Sequence, residues 1–336
     1  MQHFVQSQTQ LFVHHRDRIL IVFMTICVLG VIGIATPGYE CGLLKWALQI
    51  ELSGGSAYGP EMQERFNQTF PPPLSNAGFA YPLPSMWLAI PALLLPDVLE
   101  QAVWSILNIG LILVGIKLLR MPLQLIFFAP ILLATYIQQS TALLIGLLLI
   151  AIWAQRERRW WLLGILIALT IGAKPQVTLL TASALAILSF RDGGWRPVII
   201  CNVVVQGLTL LFEPMWIFEW LAAVERFRLY ISPNWMPWWL AIALVMVVLR
   251  QFWGALALFQ VGLFPTIFGY MLLPVLLGYV DQRTHRFAWL AVACSWMMVV
   301  LADREPLWLL TSIFYFTPLL LSAVWSVRQT QNSSHL

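Results

Sequence analysis

Twelve apolar segments divide this chain, and its charged residues cluster at the segment ends instead of inside them. The segments run near residues 19–36, 102–119, 123–136, 141–154, 160–173, 177–190, 197–212, 238–249, 252–263, 266–280, 287–302 and 307–325. Many are shorter than the ~20 residues a perpendicular membrane crossing needs, so flanking residues have to complete them. Of the 336 residues, 60% are hydrophobic and 10% charged, whereas soluble domains carry roughly 25% charged residues. A chain this apolar has no water-soluble way to hide its surface. The expected fold class is all-α, a polytopic integral membrane protein with about 12 transmembrane helices. Residues 1–336 are expected to form a single transmembrane domain. Ile34-Ala35-Thr36-Pro37 makes a poor signal-peptide cleavage site, so the first segment counts as a membrane helix.

Basic residues set the expected topology. With a cytoplasmic N-terminus and alternating segments, the outer side keeps Lys45, Arg65, Lys174, Arg226, Arg228 and Arg304. The other 13 of the 19 Lys and Arg fall on the cytoplasmic side, the Arg156–Arg159 run among them, as the positive-inside rule requires. This holds if residues 84–96, PSMWLAIPALLLP, form a half-helix dipping from the outer face. Two long loops then face outward, residues 37–83 and 213–234. In the first, Leu43, Ala47 and Ile50 share one helical face and Lys45 and Gln49 another. In the second, Trp216, Trp220, Val224 and Phe227 form an apolar stripe. Helices of this kind lie in the membrane interface.

The same survey excludes several chemistries. The basic residues sit in short separate clusters, which is no nucleic-acid patch. Cys27, Cys41, Cys201 and Cys294 form no Cys-x-x-Cys pair, so neither a structural metal site nor a disulfide framework is expected. His3, His14, His15, His285 and His335 fall on the cytoplasmic side or at the termini, which leaves no Ser/His/Asp or Cys/His constellation outside. No His, Asp and Glu cluster has metal-ligand spacing, and no cofactor is expected.

Four stretches, in order, carry a family resemblance. The first is PGYECGLLKWALQIELSGGSAYGPE, with Glu40, Ala47, Gly54-Gly55 and Tyr58. The second is Phe79-Ala80-Tyr81-Pro82-Leu83. The third is QQSTALLIGLLLIAIWAQRERRWWLLGILIALTIGAKPQ, and the fourth FPTIFGYMLLPVLLGYV. From about Tyr39 to Pro274 the chain resembles the family-87 glycosyltransferases of the GT-C superfamily. It departs from their pattern in having Glu40 for an aspartate, Gln138 for a glycine and Thr141 for an asparagine. The resemblance implies a GT-C-type membrane enzyme that transfers a sugar, a hexose such as mannose, from a polyprenyl-phosphate donor. The acceptor would be a lipid or glycan, the outcome inverting, and the site on the extracytoplasmic face of the cell membrane. The expected partners are membrane lipids, the polyprenyl-phosphate sugar and the acceptor.

The resemblance also implies residue roles. An acceptor hydroxyl needs a base to take its proton as it attacks, and Glu40 is the catalytic candidate, with Glu51, Glu61 and Glu64 as alternatives. The polyprenyl-phosphate leaving group needs charge stabilisation. Pro175 disfavours helix at Lys174 and is favoured as the first helical residue. Lys174 therefore stands at a helix N-terminus, where backbone N–H groups and an ammonium can meet one anion; snorkelling to the headgroups is the plainer reading. Gln138 and Gln139 lie at the same outer turn, for substrate contact or for hydrogen bonds between helices. Tyr58 and Tyr81 are candidates for lining a sugar site or for interfacial anchoring. Arg226 and Arg228 either bind a second phosphate or pair with Glu219 and Glu225. Two other classes stay open: a transporter or lipid flippase, and a catalytically degenerate polyprenyl-lipid-binding homologue.

Overall fold

Proline placement decides where most of the helices begin and break. The computed structural model describes residues 40–72, 74–230, 237–264, 269–281, 287–301 and 308–333. Among these residues every regular element is a helix and no strand forms. The expected helix at 19–36, Arg16, Arg18, Arg283, Arg286, Arg304, Trp235 and all five histidines lie outside the described residues.

The first outer loop is built of helices: α1 (Glu40–Leu52), α2 (Pro60–Thr69) and the short α3 (Leu74–Ala77). Pro60 opens α2, where its missing N–H costs nothing. Residues 84–96 do form a short element, a 3-10 helix over Leu83–Ala92. Ten residues at about 2 Å rise give about 20 Å, short of a ~30 Å hydrocarbon core. Pro96 then caps the long α4 (Asp97–Leu118), which starts five residues before the expected segment.

The expected helix over 123–136 is broken. A 3-10 helix, Leu123–Phe127, is followed by extended Phe128 and by α5 (Ala129–Tyr136). A continuous helix would press the Pro130 ring against the Ile126 carbonyl. Next come α6 (Ser140–Arg156), α7 (Trp160–Ile171), α8 (Pro175–Arg191), α9 (Trp195–Phe212), α10 (Trp216–Tyr230), α11 (Trp238–Val248) and α12 (Phe252–Leu263). The segment expected over 266–280 is a 3-10 helix, Gly269–Tyr279, with Pro274 inside it. The chain closes on α13 (Ala288–Leu301) and α14 (Trp308–Ser333).

Two described stretches are long and apolar enough to cross a membrane, Leu99–Leu118 and Trp195–Phe212. The other apolar helices, such as Ser140–Arg156 and Trp160–Ile171, are shorter, where the sequence anticipates about 12 spans. Turns and prolines cut the apolar segments into these lengths.

α6 is the centre of the molecule, buried along almost its whole length. It packs on α4, α7 and α8. Gly146 allows a close backbone approach: a Cβ there would meet the Ile112 nitrogen and the Leu111 carbonyl carbon at 2.8 Å. α9 is the opposite case, with Val203, Val204, Leu208 and Leu211 exposed.

Two expected faces are corrected. The stripe Trp216, Trp220, Val224 and Phe227 turns inward, with Trp216 buried and the others half-buried. The Trp220 indole donates to the Ala80 carbonyl at 3.1 Å, because a buried indole N–H needs an acceptor. Phe218, Leu221 and Leu229 are exposed instead. Lys45 is buried too, and donates to Glu100 Oε2 at 2.6 Å and the Leu95 carbonyl at 2.8 Å. Replacing Gly146 by Ala is expected to destabilise by about 1–3 kcal/mol through overpacking against backbone. Gly110→Ala on α4, with nothing within 4 Å of its new Cβ, is expected to be nearly silent. Unfolding midpoints of the two purified variants check this.

Candidate active site

Two helix starts meet beside Glu40 of α1: Ser140 is the first residue of α6, and Lys174 the N-cap of α8. The first N–H groups of a helix have no intrahelical partner and carry the positive end of its dipole. A carboxylate suits that junction, and Glu40 occupies it.

Local sequence sets each position. Pro175 holds Lys174 out of the helical region, at φ −151° and ψ 77°. The Lys174 carbonyl accepts the Val177 N–H at 2.8 Å and the Thr178 hydroxyl at 3.0 Å. The Thr178 hydroxyl also reaches the Thr170 carbonyl at 2.7 Å, tying the turn to the end of α7. Gln138 ends α5 in the left-handed region, at φ +54°. Glycine reaches that region without strain, and Gln138 holds it with a side chain. The Gln138 carbonyl accepts the Trp104 indole N–H of α4 at 2.8 Å.

The side chains then converge. Lys174 Nζ lies 3.0 Å from Glu40 Oε2, 3.3 Å from Oε1 and 2.8 Å from Gln139 Oε1. The Ser140 hydroxyl donates to Glu40 Oε1. The Tyr81 hydroxyl donates to Oε2 at 3.1 Å, and the Lys174 ammonium sits 5.4 Å from the centre of the Tyr81 ring. Glu40 and Lys174 are each 1% exposed. Gln139, Tyr58 and Tyr81 are half-buried and form the rim. Burial pushes the Lys174 ammonium below its usual range, and the Glu40 charge works against that fall.

Glu40, Lys174, Gln139 and Tyr81 are thus in direct contact. Tyr58 stands one step away, its hydroxyl donating to the Tyr81 carbonyl at 2.7 Å. Burial raises the Tyr58 phenol well above its usual range, so it stays a neutral donor. Arg226 and Arg228 are not brought in: both are exposed on α10. The sequence places Glu40 and Lys174 on the same side without pairing them, and the fold brings the two charges into direct contact. Their partner Ser140 had no individual reading in the sequence. A Ser just ahead of an apolar run usually signals a helix cap, and that signal says nothing about a carboxylate a hundred residues earlier.

A second buried pair, Lys45 with Glu100, locks α1 to α4 and holds Glu40 in place. Beside it, burial and Glu100 push the Cys41 thiol far up, so Cys41 supplies no thiolate nucleophile. Among the described residues no group of three His, Cys, Asp or Glu side chains is placed to hold a metal ion.

No family model, curated protein or solved structure matches the chain. The pair itself is open to test. Lys174→Ala strands a buried carboxylate and is expected to cost about 3–5 kcal/mol. Combining Lys174→Met with Glu40→Gln should recover most of that loss, since neither charge remains. A double-mutant cycle on unfolding free energies reads the difference.

Proposed function

We propose that this chain is a membrane glycosyltransferase of the GT-C type. It moves a hexose from a polyprenyl-phosphate donor to a hydroxyl of a lipid or glycan acceptor at the extracytoplasmic face. The observation that carries the reading is the buried Glu40–Lys174 pair where the N-termini of α6 and α8 meet. Such a junction favours anions, and phosphate is the anion the donor brings.

Distribution of polarity supports the membrane setting. Apolar side chains of α9 face outward while Asn108, Thr141 and Gln260 are fully buried. Arg156 and Arg191 end α6 and α8, at the opposite ends of these helices from Lys174 and Ser140. Each helix has 17 residues, a length of about 25 Å. With arginines on the cytoplasmic side, the pair belongs to the outer side.

The chemistry follows from the contacts. Without donor, Lys174, Ser140 and Tyr81 occupy the Glu40 oxygens, and the base is closed to water. The donor phosphate competes with Glu40 for Lys174 at the start of α8. Glu40 is thereby released toward the acceptor hydroxyl, past the half-buried Tyr81. The acceptor oxygen attacks the anomeric carbon as Glu40 takes its proton. The bond from that carbon to the phosphate oxygen breaks, and its electron pair leaves on the phosphate, which Lys174 neutralises. One displacement inverts the anomeric centre. Closure until the donor arrives keeps water from intercepting the sugar.

Transfer from radiolabelled polyprenyl-phosphate hexose, in reconstituted vesicles, tests the proposal. Glu40→Gln is expected to lower transfer by about 10²–10⁴, the usual worth of a general base, with donor still bound. Lys174→Ala is expected to lose donor binding. Transfer that survives Glu40→Gln moves the base to another carboxylate. Donor binding with no transfer by the wild type would leave a lipid-phosphate binder and sink the enzyme.

A further inference from the structure

The loop joining α1 to α2 holds polar groups that the transfer step does not use. Glu51, in the last turn of α1, is 4% exposed. Its Oε1 accepts the Ala57 N–H at 2.7 Å, while its Oε2 has no hydrogen-bond partner. A buried acceptor left unmatched costs free energy that a ligand's donor can recover. The Ser56 hydroxyl reaches Glu219 Oε2 at 3.4 Å and accepts the Tyr58 N–H at 3.2 Å. Burial raises the Glu51 carboxyl above its usual range, and the Glu213 and Glu219 charges add to this against the Ala57 N–H.

No Lys or Arg among the described residues pairs with Glu51, Glu213 or Glu219. Glu61 differs, being held by Arg65 at 3.1 Å. The cluster opens outward. Ser56, Tyr58, Glu213 and Glu219 are half-buried, and residues 52–55 are exposed. Gly54 adopts φ +83°, and a Cβ on Gly55 would come 2.8 Å from Ile50 Cγ2. Only glycine keeps this turn both left-handed and clear.

Glu51 follows Glu40 by three turns of the same helix, about 16 Å along its axis and on the same face. Tyr58 and Tyr81 span the interval, linked to each other and to Glu40 by hydrogen bonds. Resting on the glycosyltransferase reading, we infer that the face of α1 from Glu51 to Glu40, bordered by Tyr58 and Tyr81, is the acceptor subsite, and that it takes a non-anionic glycan. A hydroxyl or ammonium at one end of that glycan donates to Glu51 Oε2, and a hydroxyl at the other end reaches Glu40. A uronate or phosphate at the Glu51 end is repelled by the three carboxylates.

Binding to the full chain in detergent, without any donor, tests this. The probes are a neutral gluco-oligosaccharide, a glucosamine oligosaccharide and a galacturonate oligosaccharide, read by calorimetry. The first or second is expected to bind, and the third not. Glu51→Gln keeps the shape but places an amide donor where the acceptor was, so binding is expected to weaken about tenfold or more. Glu219→Gln, at a half-buried position, should weaken it as well and carries the test if Glu51→Gln fails to fold. Preference for the glucosamine probe would identify an ammonium as the recognised donor, and preference for the neutral one a hydroxyl. Absence of both from a folded wild type, or equal affinity in the two variants, overturns the subsite. Because no transfer is measured, this failure is separate from failure of the enzyme.

Discussion

Taking the charges of Glu40 and Lys174 out of water costs several kcal/mol per ion, and mutual attraction repays this only when the remaining hydrogen-bonding capacity is met. Here it is met from four sides. Ser140 and Tyr81 donate to the carboxylate, Gln139 accepts from the ammonium, and the Tyr81 ring offers its face to the same charge. These groups come from two distant places in the chain, Tyr81 and the adjacent residues Gln139 and Ser140. The pair therefore specifies one mutual arrangement of α1, α6, α8 and the loop before the Leu83–Ala92 segment. Any other arrangement leaves a buried charge short of partners.

The first outer loop is consequently no solvated cover. α1 is buried on nearly every side, carrying two ion-paired residues and one partly unmatched carboxylate. The Lys45–Glu100 pair fixes its middle, Glu40 its start and Glu51 its end. A helix anchored at three levels makes a rigid wall. The tyrosine-bearing loop lies against it, tied by hydrogen bonds from Tyr58, Trp220 and Tyr81.

Polarity in this molecule is turned outside in. Asn108 caps the Leu143 N–H on α6 at 2.8 Å, and Gln260 serves both the Leu180 N–H and the Pro175 carbonyl on α8. Both side chains are fully buried while valines and leucines of α9 face out. Buried amides of this kind satisfy helix starts that prolines and turns have left short of partners. Proline cuts the apolar segments, and polar side chains then close the exposed backbone ends. The site itself consists of such ends.

Apolar runs and prolines by themselves determined that the described chain is helical, and where several helices start. Lys174 before Pro175 was readable as a helix start because proline's constraint acts on the residue before it, with no help from tertiary contacts. The family-like stretches also pointed to Glu40, Gln139, Tyr58 and Tyr81, four residues that the fold gathers into one place. What the sequence could not carry was partnership. Glu40 meets Lys174 across 134 positions and Ser140 across 100, and no local period encodes such contacts. The same limit hid the burial of Lys45 on α1 and the inward turn of the α10 stripe. An apolar stripe gives the direction of burial, but only the packed structure decides whether protein or solvent lies on that side, since both faces of α10 are largely apolar. Arg226 and Arg228 looked like phosphate ligands by charge and side, and only the rotation of α10 turned them away from the pair. The pairing of Glu40 with Lys174 belongs to tertiary structure alone, because it depends on α1 reaching the point where the starts of α6 and α8 meet.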